Sequence, residues 1–210
     1  MKKPTCEEIK KDSNEEVIQE VLADKYLSFT IDSLNIGEDL TNKKTSVCFK
    51  LMVTNLEGKR ISYDVEGEGK GLFDALFSVL ITKLVDDCHS LSNLRLEEFY
   101  IHVDEKDLRR RLKKGLGADA HVEAYLTINN GSGKLIPFRS RKQSMLAASI
   151  DVVCKTIEFF VNSERAVLRL KELIKDARKR NRGDLRNRYV FSLSLLVFNT
   201  SYEESLKDEI

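Results

Sequence analysis

The chain has 210 residues, enough for one large domain or two small ones with a hydrophobic core. Charged residues make up 33% and hydrophobic residues 41%, and the net charge of +1 gives no general attraction for nucleic acid. The longest apolar run, 72–85, contains polar residues and falls short of the roughly 20 residues that a membrane span needs. No apolar segment follows the two lysines near the N-terminus, which argues against a secretory signal and indicates a cytoplasmic protein.

The four cysteines lie far apart at Cys6, Cys48, Cys88 and Cys154. None forms a Cys-x-x-Cys pair, and no histidine stands at zinc-finger spacing, so the pattern favours reduced thiols. We expect Cys48, in a strand-like run, and Cys154, in a helical one, to pack as small buried hydrophobic residues.

Polar and charged residues dominate the first 24 positions, which we interpret as a peripheral arm with a short helix over 14–23. Alternating apolar and polar residues then predict three strands, at 26–34, 46–54 and 60–65. The glycine-spaced segment 67–75 follows and leads into a helix predicted over 72–86. This first half therefore has a βββα order.

The second half repeats this order. Its predicted strands lie at 98–103, 121–128 and 135–138. Pro137 removes a backbone donor and indicates an edge strand. Helical spacing of apolar residues continues from 146 to 177, as one long helix or two, and the β-rich run 189–198 predicts a last strand.

The sequence therefore predicts an α+β fold in which two βββα units form antiparallel sheets packed with helices. A helix and a strand would extend it at the C-terminus. The corresponding division is an N-terminal arm, the double βββα module, the extension and a tail, at 1–24, 25–163, 164–200 and 201–210.

Gly67, Gly69 and Gly71 stand at two-residue spacing just before the first long helix. Glycine permits positive φ and close approach of a ligand to the backbone, and the first amides of a helix attract anions. A plain structural turn is the alternative, and it stays open. The spacing does not match the dinucleotide-binding fingerprint, so we expect no cofactor and consider a small carboxylate as ligand.

Catalytic patterns are missing from the sequence. His89, His102 and His121 form no metal-binding pair, and we interpret those in strands as structural. There is no Gly-x-Ser-x-Gly elbow and no Walker lysine motif. We predict that the chain is not an enzyme and holds neither a metal nor a cofactor.

Three segments in order resemble a known family. The run 69–76, Gly-Lys-Gly-Leu-Phe-Asp-Ala-Leu, is similar to the Gly-x-Gly-Pro-Val-Asp-Ala segment in the C-terminal regulatory domain of 2-isopropylmalate and citramalate synthases. The run 117–120, Gly-Ala-Asp-Ala, resembles that family's Gly-x-Asp-Ala, and Ala148-Ser149 resembles the Ala-Ser of its second helix. The resemblance covers about 26–162.

The resemblance implies a homodimeric module that binds leucine, isoleucine or a related carboxylate and regulates a catalytic synthase. The His-x-His pair of the family's catalytic half is missing, so a separate synthase subunit is the implied partner. The implied effector site consists of Gly69, Gly71, Phe73, Asp74, Leu96, Phe99, Val103, Ala120 and Val122. In this interpretation the glycines present amides, the apolar side chains enclose a branched chain, and Asp74 accepts from an ammonium. A plain core role for the apolar residues remains open.

Some positions depart from the family pattern. Leu72 replaces a proline, Phe73 is bulkier than valine, and Ser144 stands in place of an acidic residue. The segment 104–115 is longer and more basic than its counterpart. These departures leave an alternative open: a dimeric interaction protein that binds no amino acid and docks a protein or nucleic-acid partner through basic segments. A solvated helix face is the simpler interpretation of those segments, and no membrane partner is expected.

Overall fold

The structure, a computed structural model, describes residues 6–55, 57–114, 121–131 and 133–200. It is an α+β fold of two three-stranded antiparallel sheets with helices, which confirms the predicted pair of βββα units. The described strands are β1 (Leu27–Asp39), β2 (Lys44–Asn55), β3 (Arg60–Gly69), β4 (Arg95–Val103), β5 (Val122–Asn129) and β6 (Leu135–Lys142). The described α-helices are α1 (Cys6–Leu22), α2 (Leu72–Leu84), α3 (Glu105–Lys113), α4 (Met145–Lys179) and α5 (Gly183–Leu196).

Strict alternation builds the first sheet, which has the order β1-β2-β3. Along β2 the buried side chains are Thr45, Val47, Phe49, Leu51 and Val53. Because neighbouring residues of a strand point to opposite faces, the side chains between them lie on the solvent face. Cys48 is one of these: it is exposed, so its predicted burial was wrong.

The second sheet has the order β4-β5-β6, and β6 is an edge strand. Pro137 lies on β6 opposite Thr127, so the edge position expected for this proline is confirmed. α3 is inserted between β4 and β5, within the basic segment that we interpret as a solvated helix face or a docking surface.

The long apolar segment after β6 is one helix, α4, of 35 residues. Ser144 caps its start by accepting from the Ala147 amide at 3.4 Å. Its buried side chains join those of both sheets, α1, α2 and α5 in one continuous core. α4 therefore holds the two units together.

Two predictions about the ends of the chain were wrong. α1 is not peripheral, because Ile18 is 1% exposed and belongs with Leu22 to the core. The strand predicted over 189–198 is instead α5 and a short 3-10 helix. Leu193, Leu196 and Val197 are buried at helical spacing, so packing against α4 overrides the β propensity of this run.

None of the described helices is both long and apolar enough to cross a bilayer. α4 has the length, but lysine, arginine and acidic residues recur along it.

Candidate functional site

The glycine-spaced segment is strand and helix start rather than an open turn. Gly67 and Gly69 belong to β3, where they pair with Val47 and Thr45. Gly71 precedes α2 with φ −173, an extended conformation that any residue adopts. The positive φ that glycine permits is not used here, because the glycines with positive φ in the described chain lie in other turns.

Close packing explains two of these glycines. A Cβ on Gly67 would lie 2.1 Å from Cγ2 of Val79, and one on Gly69 would lie 2.4 Å from the backbone nitrogen of Ala75. Both distances are too short for non-bonded atoms. α2 therefore lies directly against β3 because these positions lack side chains. Nothing lies within 4 Å of a Cβ on Gly71.

Asp74 is exposed in the first turn of α2, where its negative charge interacts favourably with the positive end of the helix dipole. Its Oδ2 accepts a hydrogen bond of 2.9 Å from the backbone nitrogen of Lys70. One carboxylate oxygen thus closes the turn between β3 and α2. An ammonium ligand would have to share this carboxylate with the chain.

The start of α2 meets the second unit through aromatic side chains. Phe73 stacks on Phe99 of β4 with the ring centroids 4.2 Å apart and the planes at 29°. Phe77, one turn further along α2, lies 6.0 Å from Phe73. Of the predicted site residues, the structure therefore brings Phe99 to the segment that begins α2.

The other predicted site residues lie along β4 and β5. Leu96 and Val103 are on the core-facing side of β4 with Phe99, yet they are 43% and 38% exposed. Val122 is buried on β5 and fits the plain core interpretation. Ala120 and the rest of the Gly-Ala-Asp-Ala motif lie outside the described residues.

A cleft of about 300 Å³ lies between α1, β6 and α4, away from the glycine segment. Its aromatic wall is formed by Phe138 and Phe159, whose ring centroids are 5.5 Å apart. The Lys11 ammonium lies 5.1 Å from the Phe138 centroid and 2.6 Å from Oε1 of Glu15. Such placement over aromatic faces is favourable for a cation.

Glu158 of α4 lines the same cleft and is half-buried. Its carboxylate accepts hydrogen bonds from the Tyr26 hydroxyl at 2.9 Å and from the Phe29 backbone nitrogen at 3.1 Å. Burial raises the pKa of Glu158 above its ordinary value, although both hydrogen bonds act in the opposite direction. Burial also raises the pKa of Tyr26, with Glu158 as the next cause.

The sequence interpretation missed this cleft because its residues come from distant parts of the chain. Tyr26 and Glu158 are 132 positions apart. A signal was present in the predicted helix: Asp151, Glu158 and Asn162 recur at helical spacing beside the apolar stripe. Polar residues on a face that packs against other elements indicate specific hydrogen bonds.

A second polar cluster lies inside the core. Glu164 of α4 is 3% exposed and accepts from the Cys88 thiol and the Ser90 amide, each at 2.8 Å, and from the His89 amide at 3.3 Å. Burial and this carboxylate raise the pKa of Cys88, so the thiol stays protonated. The cluster anchors the connection between α2 and β4 to α4.

His121 connects the second sheet to the basic helix α3. Asp107 Oδ2 lies 2.8 Å from His121 Nδ1 and accepts from its amide at 3.1 Å. These hydrogen bonds lower the pKa of Asp107 to about 2, with Arg111 contributing. Among the described residues, no group of three or more His, Cys, Asp or Glu side chains is arranged to hold a metal ion.

The sequence matches no protein-family model, and no curated protein matches it significantly. The resemblance to the synthase regulatory domain therefore depends on the motifs quoted above.

Proposed function

We propose that this chain is a non-catalytic regulatory module that binds leucine, isoleucine or a related small carboxylate where α2 meets β4. It acts as a homodimer on a separate catalytic synthase of branched-chain amino acid biosynthesis. The observation that best supports this proposal is the stacking of Phe73 on Phe99 at 4.2 Å. Two segments named by the family resemblance, far apart in the sequence, are in contact there.

Exposed apolar side chains on the same strand as Phe99 also support the proposal. Leu96 and Val103 face the core side of β4 but are incompletely covered. Apolar surface on an otherwise buried face favours association with an apolar group. The branched chain of a ligand and the second copy of the protein are the two groups that would cover it.

The start of α2 supplies the polar part of the proposed site. The first intrahelical hydrogen bond runs from the Ala75 amide to the Gly71 carbonyl, so the amides of 72–74 precede it. Amides at such a position attract a carboxylate. The exposed Asp74 stands beside them and accepts from a ligand ammonium through the oxygen that Lys70 does not use.

Calorimetric titration of the whole chain with leucine, isoleucine and valine tests the proposal, with the oligomeric state measured by light scattering. We expect heat of binding from at least one amino acid and a dimer in solution. Phe73→Ala should weaken binding about tenfold or more, since it removes an aromatic wall. Phe191→Ala is the matched control, because Phe191 is 65% exposed on α5. Absence of heat with all three amino acids would contradict the sensing function.

A mixture of the chain with acetyl-CoA and 2-oxo acids tests the non-catalytic part of the proposal. No product should form with this chain alone. Turnover in the absence of a second protein would contradict it.

The distribution of charge favours a second candidate, docking of an acidic partner. Positions 175–188, where α4 turns into α5, carry seven cationic and two acidic side chains, an excess of five. The whole chain has a net charge of +1, so its remainder is net acidic. Arg180 pairs with Asp176 and Arg182 with Asp184, which leaves the cations in excess at this corner.

Binding of labelled single-stranded RNA and of poly-glutamate, at low and at high salt, tests this candidate. Lys175→Glu with Lys179→Glu should abolish binding that is present at low salt. Lys10→Glu with Lys59→Glu makes the same charge change at exposed positions elsewhere and should leave it intact. Equal loss with both pairs would indicate a general charge effect and contradict a specific docking corner.

A further inference from the structure

Glu158 is a half-buried carboxylate, and burial raises its pKa by more than the charge of Lys155 lowers it. It accepts from two neutral groups, the Tyr26 hydroxyl and the Phe29 amide, and in the described part of the chain it forms no ion pair. Removing a charge from water is costly unless an opposite charge compensates it. The raised pKa of this carboxyl reflects that cost. A ligand ammonium in the cleft would supply the missing compensation.

The hydrogen bonds to Glu158 also fix its position. The Phe29 amide belongs to β1, and the Tyr26 hydroxyl approaches from the segment before β1. Both oxygens are therefore oriented before any ligand arrives. A positioned acceptor binds a cation with less loss of side-chain entropy than a mobile one.

Cations line the same cleft, and one of them, Lys155, stands one turn before Glu158 on α4. Lys155 and Arg139 are exposed lining residues, and Lys155 is held by Asp151 at 2.9 Å. Lys11 lies over the aromatic wall and pairs with Glu15. Across its lining the cleft has three cations and three acidic side chains: Lys11, Arg139 and Lys155, and Asp12, Glu15 and Glu158. This balance favours a ligand that carries both charges.

The uncharged lining combines two polar residues, Gln19 and Tyr26, with three apolar ones. Pro137, Phe138 and Phe159 form one wall of the cleft. The volume of about 300 Å³ is within the range of small-molecule sites. Phe138 and Phe159 are each 3% exposed, and their rings lie beneath the Lys11 ammonium. A short aliphatic body would therefore meet this wall beside Lys11 while its charged end faces the polar side.

We propose that the cleft between α1, β6 and α4 binds a small zwitterion with an aliphatic body, whose ammonium pairs with Glu158 and whose carboxylate pairs with Lys155 and Arg139. This site is separate from the junction of α2 and β4. It does not depend on the function proposed for that junction, because it requires both ligand charges but no branched chain.

Calorimetry of the whole chain with three probes tests the charge requirement. Norleucine carries both charges on a straight chain, pentylamine lacks the carboxylate, and hexanoate lacks the ammonium. Norleucine should bind at least about tenfold more tightly than either single-charge analogue, since hydrogen bonds to charged groups contribute about 1.5–3 kcal/mol. Equal affinity of all three probes, or no binding of norleucine, would overturn the proposal.

Variants assign the binding to the cleft. Glu158→Gln should weaken the binding of norleucine at least about tenfold. Glu172→Gln, which changes an exposed residue of the same helix, should leave that binding unchanged. Lys155→Met should weaken the binding of norleucine but leave the binding of pentylamine unchanged. Lys175→Met is the matched control and should change neither. Because Lys155 is on the surface, this pair remains informative even if Glu158→Gln impairs folding.

The two proposed sites fail in different ways. Norleucine binding that is lost with Phe73→Ala and unaffected by Glu158→Gln and Lys155→Met would overturn the cleft and support the junction. Norleucine binding that depends on Glu158, does not respond to Phe73→Ala and shows no preference for branched chains would support the cleft and contradict the junction.

Discussion

The two βββα units use their helices differently. In the first unit α2 has 13 residues and lies so close to its sheet that β3 carries glycines beneath it. In the second unit α4 has 35 residues, extends past its sheet and contacts α1, α5 and β1 as well. The first helix covers its own sheet, whereas the second connects the whole molecule.

The two helices also differ in the hydrogen bonds that their polar side chains form. Asn162 of α4 accepts from the Leu27 amide at 3.0 Å and donates to the Leu27 carbonyl at 2.7 Å. Glu158 of α4 also accepts from the Phe29 amide of the first unit, and Glu164 accepts from the Ser90 amide in the connection between the units. The contact between α2 and β3, in contrast, is close apolar packing. Hydrogen bonds of α4 therefore add to the apolar contacts between the units, such as the stacking of Phe73 on Phe99, whereas α2 packs on β3 through close fit.

The largest loss of stability is expected at Glu164. Glu164→Ala removes the acceptor for the Cys88 thiol and for two backbone amides in the core, and should lower the free energy of unfolding by about 3 kcal/mol. Glu164→Gln keeps one acceptor oxygen and should cost about half as much. Urea denaturation measures both.

Glu172→Ala is the control for this prediction, because Glu172 is exposed on the same helix and pairs only with Arg169 in the described structure. It should change stability by no more than about 0.5 kcal/mol. A similar effect of both alanine variants would mean that Glu164 does not anchor the connection between α2 and β4.

Shape at the contact between α2 and β3 is tested at Gly67. Gly67→Ala places a methyl group where the Val79 side chain lies, and it should lower the free energy of unfolding by about 2 kcal/mol. In a Val79→Ala background the same change should cost less than about 0.5 kcal/mol, because the conflicting methyl group is gone. Gly71→Ala, which meets no atom within 4 Å, should cost less than about 1 kcal/mol. An undiminished cost in the Val79→Ala background would contradict the packing explanation.

A smaller effect is expected where α4 holds the start of β1. Asn162→Ala removes both hydrogen bonds to Leu27 and should destabilise by about 1.5 kcal/mol. Hydrogen exchange should become faster at the Leu27 amide but change little at Ala124 in the second sheet. Asn187→Ala, at an exposed position of α5, is the control. Equal acceleration at Leu27 and Ala124 would show global rather than local loosening.

Local patterns in the sequence were sufficient for much of this architecture. Alternation predicted all six strands, although β1, β3 and β6 end four or five residues later than expected. The glycine segment is ambiguous in the sequence, because the same spacing serves a ligand loop and a close helix–sheet contact, and the contact of Gly67 with Val79 is visible only in the structure. The run 189–198 has β propensity that tertiary packing overrides.

The cleft and the core carboxylate were beyond local patterns, but one clue to them existed. Ile157, Phe160 and Glu164 continue a single stripe at helical spacing, so a glutamate was predictable on the buried face of the helix. Its partners, Cys88 and Ser90, were not predictable, because they lie more than 70 positions away.

The smallest expected effect is the acid response of the contact between α3 and β5. Asp107 has its pKa lowered to about 2 by hydrogen bonds from His121, and in the unfolded chain it returns to its ordinary value near 3.8. The folded state therefore binds the proton less readily. The stabilisation is fully present above about pH 4 and is lost as the pH falls through about 2.

Asp107→Asn should remove this part of the acid dependence, measured by urea denaturation at successive pH values. Glu105→Gln, at an exposed position of the same helix, should leave the profile unchanged. If the stability of Asp107→Asn depended on pH as that of the wild type does, other carboxyl groups would determine the loss of stability in acid.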